Sequence, residues 1–232
     1  MTPSHHRNRQ CVLVFLKVPQ KVSVKTRLAQ FLDKDVVVNL YKHFVADILG
    51  LLQRGGHHVM ICFYPPNARA DVAGWLGPDL SLLPQQGRNL GQRMANAFSE
   101  AFARGFQQVL LLGTDFPDLP ESVVAEAFEH LPQHDAVIGP AVDGGYYLIG
   151  FNSDTFSAEI FDDMPWGTAD VYQRTLTIFS NNGCKIHVLP KWRDIDTYQD
   201  LERFIKTRLQ HQTTAVNTAA YLSGIGFPPK IV

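Results

Sequence analysis

The apolar run Val109–Leu112 stops abruptly at Gly113-Thr114-Asp115, and that change constrains the fold more than any other feature. A continuous apolar run suits a strand covered on both faces, as in a parallel sheet, although periodicity alone leaves a buried helix open. Read as a strand, it puts Asp115 at its carboxyl end, where open α/β sheets bind ligands. Pro117 biases Phe116 toward an extended conformation, so the chain leaves in a fixed direction with Asp118 close behind. Twenty-eight residues after Asp115, Asp143 opens a Gly144-Gly145 turn ahead of another apolar run. Hard oxygen ligands at strand ends are what a site for Mg²⁺ or Mn²⁺ plus phosphates needs.

Around these segments the pattern alternates. Val12–Leu16 reads as a first strand and Val59–Tyr64 as a second, with a helix between them from near Asp33 to Arg54, stopped by Gly55-Gly56. Signals are mixed from Pro65 through Pro84. Leu90, Met94, Ala97, Phe98, Ala101 and Phe102 then share one helical face, closed by Gly105. Pro120 suits the first turn of the next helix. Ala136–Ile138 and Tyr146–Phe151 read as strands. A helix from about Thr168 to Phe179, a strand around Lys185–Leu189 and a helix from Thr197 to about Leu209 follow. Strands alternating with helices argue for one α/β domain, a mainly parallel sheet with helices on both faces. The 232 residues fit such a unit of about 200–250. Residues 1–10 read as a flexible start, and about 212–232 as an irregular tail.

The loop after the first strand is locally basic. Lys17, Lys21, Lys25 and Arg27 are four of the eleven residues from 17 to 27, and none of the eleven is acidic. A polyphosphate at the strand end would account for this: Lys acts as a point charge and the Arg fork can hold phosphate oxygens bidentately. A solvated basic loop is the competing reading. Asp115 could equally cap the next turn, and Asp118 could favour the start of the Pro120 helix. Asp143-Gly144-Gly145 could be a plain hairpin turn, or a place where two glycines let backbone approach a ligand. Tyr146 and Tyr147 project to opposite faces of a strand, so at most one faces a pocket. In Arg193–Leu201, Thr197 is a good N-cap and Asp200 can complete a capping box, which leaves Asp196 free to be a metal ligand. Trp166 fills a core or walls a pocket.

Bulk properties remove other classes. A net charge of −1 gives no global field to draw in nucleic acid or an anionic membrane. No apolar stretch approaches the roughly 20 residues that span a bilayer. Cys11, Cys62 and Cys184 lack metal-ligand spacing and read as buried thiols of a cytoplasmic protein. The histidines suggest no site, and nucleophile elbow, Walker loop and dinucleotide fingerprint are all missing.

Taken together, the segments resemble a bacterial GT-A-fold, nucleotide-diphospho-sugar transferase-like family, the arsenosugar-biosynthesis-type glycosyltransferases. Lys17, Pro19, Val24, Lys25, Thr26, Arg27 and Leu28 match its first-loop pattern. Gln86–Met94 and Gly113–Leu119 approximate two further segments, Trp166 a third and Asp194–Leu201 a fourth. Gly139–Gly150 carries the most specific match. The resemblance implies a Rossmann-like, mainly parallel sheet whose first loop binds nucleotide through Lys17, Lys25, Thr26 and Arg27, with Asn89 and Gly91 contributing. It implies Asp115 and Asp196 as ligands of Mg²⁺ or Mn²⁺, Asp115 and Asp143 as catalytic carboxylates, and Gly144, Gly145, Tyr146 and Trp166 on the sugar or acceptor side. Val22 stands where the family has Gly, and Asn89 where it has Asp.

Three functions follow. The leading expectation is a metal-dependent glycosyltransferase that uses a nucleotide-sugar and a small-molecule acceptor. A nucleotidyltransferase that releases pyrophosphate is the alternative, and Val22 and Asn89 motivate a third, a nucleotide-binding protein without catalysis.

Overall fold

Period-two alternation sorts the central strands onto two cores. Val12, Val14 and Leu16 enter one, and Cys11 and Leu13 the other; Leu110 and Leu112 oppose Val109 and Leu111 in the same way. Both faces are apolar because both are covered. The computed structural model describes residues 9–210 and 214–227. Its strands are β1 (Gln10–Lys17), β2 (Val59–Tyr64), β3 (Ser81–Pro84), β4 (Gln108–Gly113), β5 (Ala136–Pro140), β6 (Tyr146–Asn152) and β7 (Ile186–Val188). They form one sheet in the order β3-β2-β1-β4-β6-β5-β7. Only β6 runs against its neighbours, paired antiparallel with β4 and β5. From β1 the chain builds outward through β2 to β3, then crosses to β4 on β1's other side. This makes the β1/β4 junction the switch point where a crevice opens at the carboxyl ends.

The helices are α1 (Lys34–Arg54), α2 (Arg69–Leu76), α3 (Leu90–Ala103), α4 (Glu121–His130), α5 (Val171–Asn181), α6 (Tyr198–Gln210) and α7 (Val216–Gly224). Tyr41 and Ile48 of α1, Val72 of α2 and Val124 of α4 pack on one face of the sheet. Met94 and Phe98 of α3 and Phe179 of α5 pack on the other. Each large apolar side chain buried this way stabilises by about 1.5–3 kcal/mol.

Several expectations are corrected. The mixed region before Pro84 resolves into α2 and β3, and of the expected flexible start Gln10 already belongs to β1 and the Arg9 carbonyl accepts from Gln107 N and Gln108 N, while residues 1–8 lie outside the described residues. Pro120 is not in a first helical turn. It sits at the N-cap of α4 with an extended ψ of 147°. The helix expected from Thr168 starts at Val171, because Thr168 Oγ1 donates to the Pro165 carbonyl and accepts from Asp170 N, holding a turn. The expected irregular tail contains α7. Its first amides, Asn217 N and Thr218 N, donate at 2.8 Å to the carboxylate of Asp47 on α1. A buried carboxylate on a helix N-terminus satisfies free amides and opposes the helix dipole favourably. Leu222 of α7 joins Leu28, Phe44, Ile195, Leu201 and Phe204 in a third apolar cluster, which clamps the loop after β1 against the segment leading into α6.

Candidate active site

Lys25 is placed by an unusual backbone. Its φ is +46°, a region shared among the described non-glycine residues only by Asp163, and a non-glycine residue there costs about 1–3 kcal/mol. The surroundings hold it: Leu28 is fully buried, and Ala29 N donates to the Lys25 carbonyl at 3.1 Å. The side chain, 4% exposed, ends 2.7 Å from Asp115 Oδ1 and 3.7 Å from Asp196 Oδ1. Arg27 reaches Asp196 Oδ2 at 3.2 Å from a solvent-facing position. Asp196 is fixed from behind, since buried Ile195 donates its N–H to the Asp115 carbonyl at 3.0 Å. Residues 81 positions apart in sequence are thereby locked into one constellation at the carboxyl ends of β1 and β4.

Further groups surround it. Burial, reinforced by the charge of Asp143, pushes the Asp194 carboxyl up to about 6, against the pull of Lys25. Asp194 is not among the site residues expected from sequence. The usable signal was its spacing from Asp196, since i and i+2 in extended chain share a side. Beneath Asp115, the Tyr41 hydroxyl accepts from Lys17 N at 2.9 Å and from Thr114 Oγ1 at 3.2 Å. Burial, and then the charge of Asp115, raises that phenol. A cavity of about 310 Å³ adjoins Asp194, walled by Val142, Trp192, Arg193 and Arg203.

The remaining candidates are held by contacts of their own. Lys17 ends β1 and Thr26 is exposed. Asn89 caps α3, its side chain accepting from Gln92 N at 2.9 Å, so the Asp-to-Asn difference leaves the cap intact. Gly91 is buried where a Cβ would sit 2.5 Å from the Phe161 carbonyl oxygen and 2.9 Å from Trp166 Nε1; its visible role is to let the Trp166 loop pack on α3. Asp143 Oδ1 accepts from Gly145 N at 2.9 Å in the turn between β5 and β6. Gly144 has φ +94°, and a Cβ there would be 2.1 Å from the Ala169 carbonyl oxygen. Tyr146 and Tyr147 do point to opposite faces: Tyr147 donates to the Pro190 carbonyl, while Tyr146 meets Trp166 edge-on at 6.3 Å. Val22 has a negative φ like nearly all non-glycine residues described, so a β-branched side chain fits there without backbone strain.

The residues at the centre fit a hard divalent cation. Asp115 and Asp196 offer carboxylate oxygens converging on one point, which Lys25 Nζ occupies as an internal cation.

The seven-stranded, mainly parallel sheet with helices on both faces has the nucleotide-diphospho-sugar transferase class of fold. Residues 48–168 match the family DUF2064, described as an uncharacterized protein conserved in bacteria. The chain belongs to this family. It is 39% identical to a candidate nucleotide-diphospho-sugar transferase from Desulfovibrio desulfuricans, over 94% of this chain and 95% of that one, with a TM-score of 0.88. A nucleotidyl transferase from Methanothermobacter thermautotroptrophicus is 16% identical over 88% and 99% of the two chains (TM-score 0.59). Mycobacterium tuberculosis Rv0371C, solved with manganese, is 14% identical over 85% and 98% (TM-score 0.52). The last two share the fold. No curated protein matches the chain in sequence.

Proposed function

We propose that this chain is a metal-dependent glycosyltransferase that moves a sugar from a nucleotide-diphospho-sugar to a small-molecule acceptor. The observation that carries this reading is the meeting of Lys25 with Asp115 and Asp196 at 2.7 and 3.7 Å. In this reading Asp115 and Asp196 would hold Mg²⁺ or Mn²⁺, which would supply positive charge for the leaving diphosphate. Lys25 then exchanges carboxylate partners for diphosphate oxygens, joined by the exposed fork of Arg27. Lys17, Thr26, Asn89 and Gly91 stand on the nucleotide side. The acceptor oxygen bonds to the anomeric carbon as the carbon–oxygen bond to the diphosphate breaks, and Asp143 takes the acceptor's proton. Gly144, Gly145, Tyr146 and Trp166 line the sugar side. Free thiols at Cys11, Cys62 and Cys184 support a reducing compartment, the cytoplasm. Among the described residues no helix is long and apolar enough to cross a membrane.

The exposed Arg27 and Lys17 suit a second reading equally: nucleotidyl transfer to a phosphorylated small molecule. Products separate the two. With Mn²⁺ and a panel of nucleotide-sugars or nucleoside triphosphates, release of nucleoside diphosphate supports sugar transfer. Release of pyrophosphate supports nucleotidyl transfer, and either activity is expected to vanish in Asp115→Asn. Binding without either product would leave only the non-catalytic reading, against which the unstrained Val22 argues.

A further inference from the structure

Three histidines distant from the Asp115 centre come together at the opposite rim of the sheet. His130 ends α4, His134 follows the short turn after it, and His187 lies on β7, paired with Val137 near the start of β5. One ring nitrogen from each lies within 4.8 Å of the others, and all three rings are half-buried. The amino ends of β5 and β7 form this rim, whereas Asp115 follows the carboxyl end of β4, which runs parallel to β5.

The hydrogen bonds around the cluster set its chemistry. His134 Nδ1 lies 2.8 Å from the His130 carbonyl oxygen. A carbonyl only accepts, so Nδ1 is the donor and Nε2 is the nitrogen left for a ligand. His187 Nε2 lies 2.8 Å from Glu126 Oε1, and by the same logic its Nδ1 is the free acceptor. Metal-ligating histidines are fixed in this way, with the second ring N–H given to a backbone carbonyl or a carboxylate. The remaining ring, His130, stacks on His187 with centroids 3.6 Å apart and planes 3° from parallel.

We infer that His130, His134 and His187 form a binding site for a borderline divalent transition metal such as Zn²⁺, Co²⁺ or Ni²⁺, with Glu126 as the positioning residue for His187. Imidazole nitrogen suits these ions, whereas Mg²⁺ and Mn²⁺ favour the carboxylates at the other end of the sheet. Three nitrogens around a tetrahedral ion sit roughly 3.3 Å from one another, so the cluster must close and the parallel stack of His130 on His187 must open. Half-buried rings at a helix end can make that movement. An open fourth position remains, and the bound ion would tie the end of α4 to the edge strand β7. Nothing in this inference depends on the sugar-transfer reading.

The test is Zn²⁺ titration by calorimetry, with Co²⁺ absorption as a spectroscopic probe, on the full chain carrying His5→Ala and His6→Ala to remove the adjacent histidines near its start. One equivalent is expected, with tetrahedral Co²⁺ bands. Binding should weaken at least a hundredfold in His134→Ala and in His187→Ala, and about tenfold in Glu126→Gln. Nucleotide-dependent stabilisation should be unchanged in all three. Diethyl pyrocarbonate footprinting needs no substitution at the cluster, and Zn²⁺ should protect His130, His134 and His187 together. Absence of stoichiometric Zn²⁺ binding would overturn the inference, as would binding indifferent to His134 and His187, or a footprint unaltered by Zn²⁺.

Discussion

Lys25→Met removes one charge from the centre of the site while keeping most of the side chain that packs there. At an effective dielectric of about 20, charges separated as Lys25 is from Asp115 and Asp196 attract by roughly 6 and 4.5 kcal/mol. These gross values overstate the loss. Asp115 is 45% exposed, and pairs open to water return only about 0–1 kcal/mol net. Lys25 itself is buried, though, and its removal leaves Asp115 and Asp196 facing each other, with Asp194 nearby and only the exposed Arg27 still paired with Asp196. We therefore expect Lys25→Met to lower stability by about 1–2 kcal/mol, between the exposed-pair value and the roughly 3–5 kcal/mol of a fully buried broken pair. The same change should favour metal. With the internal cation gone, Mn²⁺ alone should bind at least tenfold more tightly, about 1.4 kcal/mol, and recover the lost stability. Nucleotide-sugar affinity should fall, because the phosphate ligand has been deleted. Urea unfolding with and without Mn²⁺, together with Mn²⁺ titration, reads all of this. A variant as stable as wild type and with unchanged Mn²⁺ affinity would refute the reasoning, because Lys25 would then not be holding the carboxylates.

Two other substitutions follow from the same geometry. Gly144→Ala combines a φ of +94° with a Cβ pressed against the Ala169 carbonyl; it should cost about 2–4 kcal/mol, seen as a lower urea midpoint. Burial raises the Asp118 carboxyl above its usual range, against the hydrogen bond from Trp192 Nε1. A raised folded-state value means that this group's favourable contribution is present at low pH and is lost as pH rises through it. Asp118→Asn should therefore gain stability over wild type at pH 7.5 and lose that advantage at pH 3.5, by urea unfolding at both.

Sequence made the central strands and the capping of α6 legible because both are local. The run Val109–Leu112 is apolar regardless of its neighbours, and Thr197 with Asp200 forms the expected reciprocal cap, Asp200 Oδ2 accepting from Thr197 N at 3.0 Å and Thr197 Oγ1 accepting from Asp200 N at 3.2 Å. Helix α7 was hidden because what starts it is Asp47, 170 residues earlier on α1. Short α2 and β3 have too few residues to display a period. The basic loop and Asp115 were visible as residue types in sequence, but their contact depends on the crossover from β3 to β4, which no local pattern encodes. His130, His134 and His187 went unread for the same reason: β7 brings the third ring to the other two only through its pairing with β5.

The most direct measurement is a thermal-shift panel of nucleotides and nucleotide-sugars, with and without Mn²⁺, on wild type and Asp115→Asn. A ligand at a hundred times its dissociation constant adds about 2.7 kcal/mol, enough to move a melting curve. The account predicts stabilisation by a nucleotide-sugar that requires Mn²⁺ and is weakened in Asp115→Asn. Stabilisation indifferent to metal and to Asp115, or no stabilisation by any nucleotide, would contradict it.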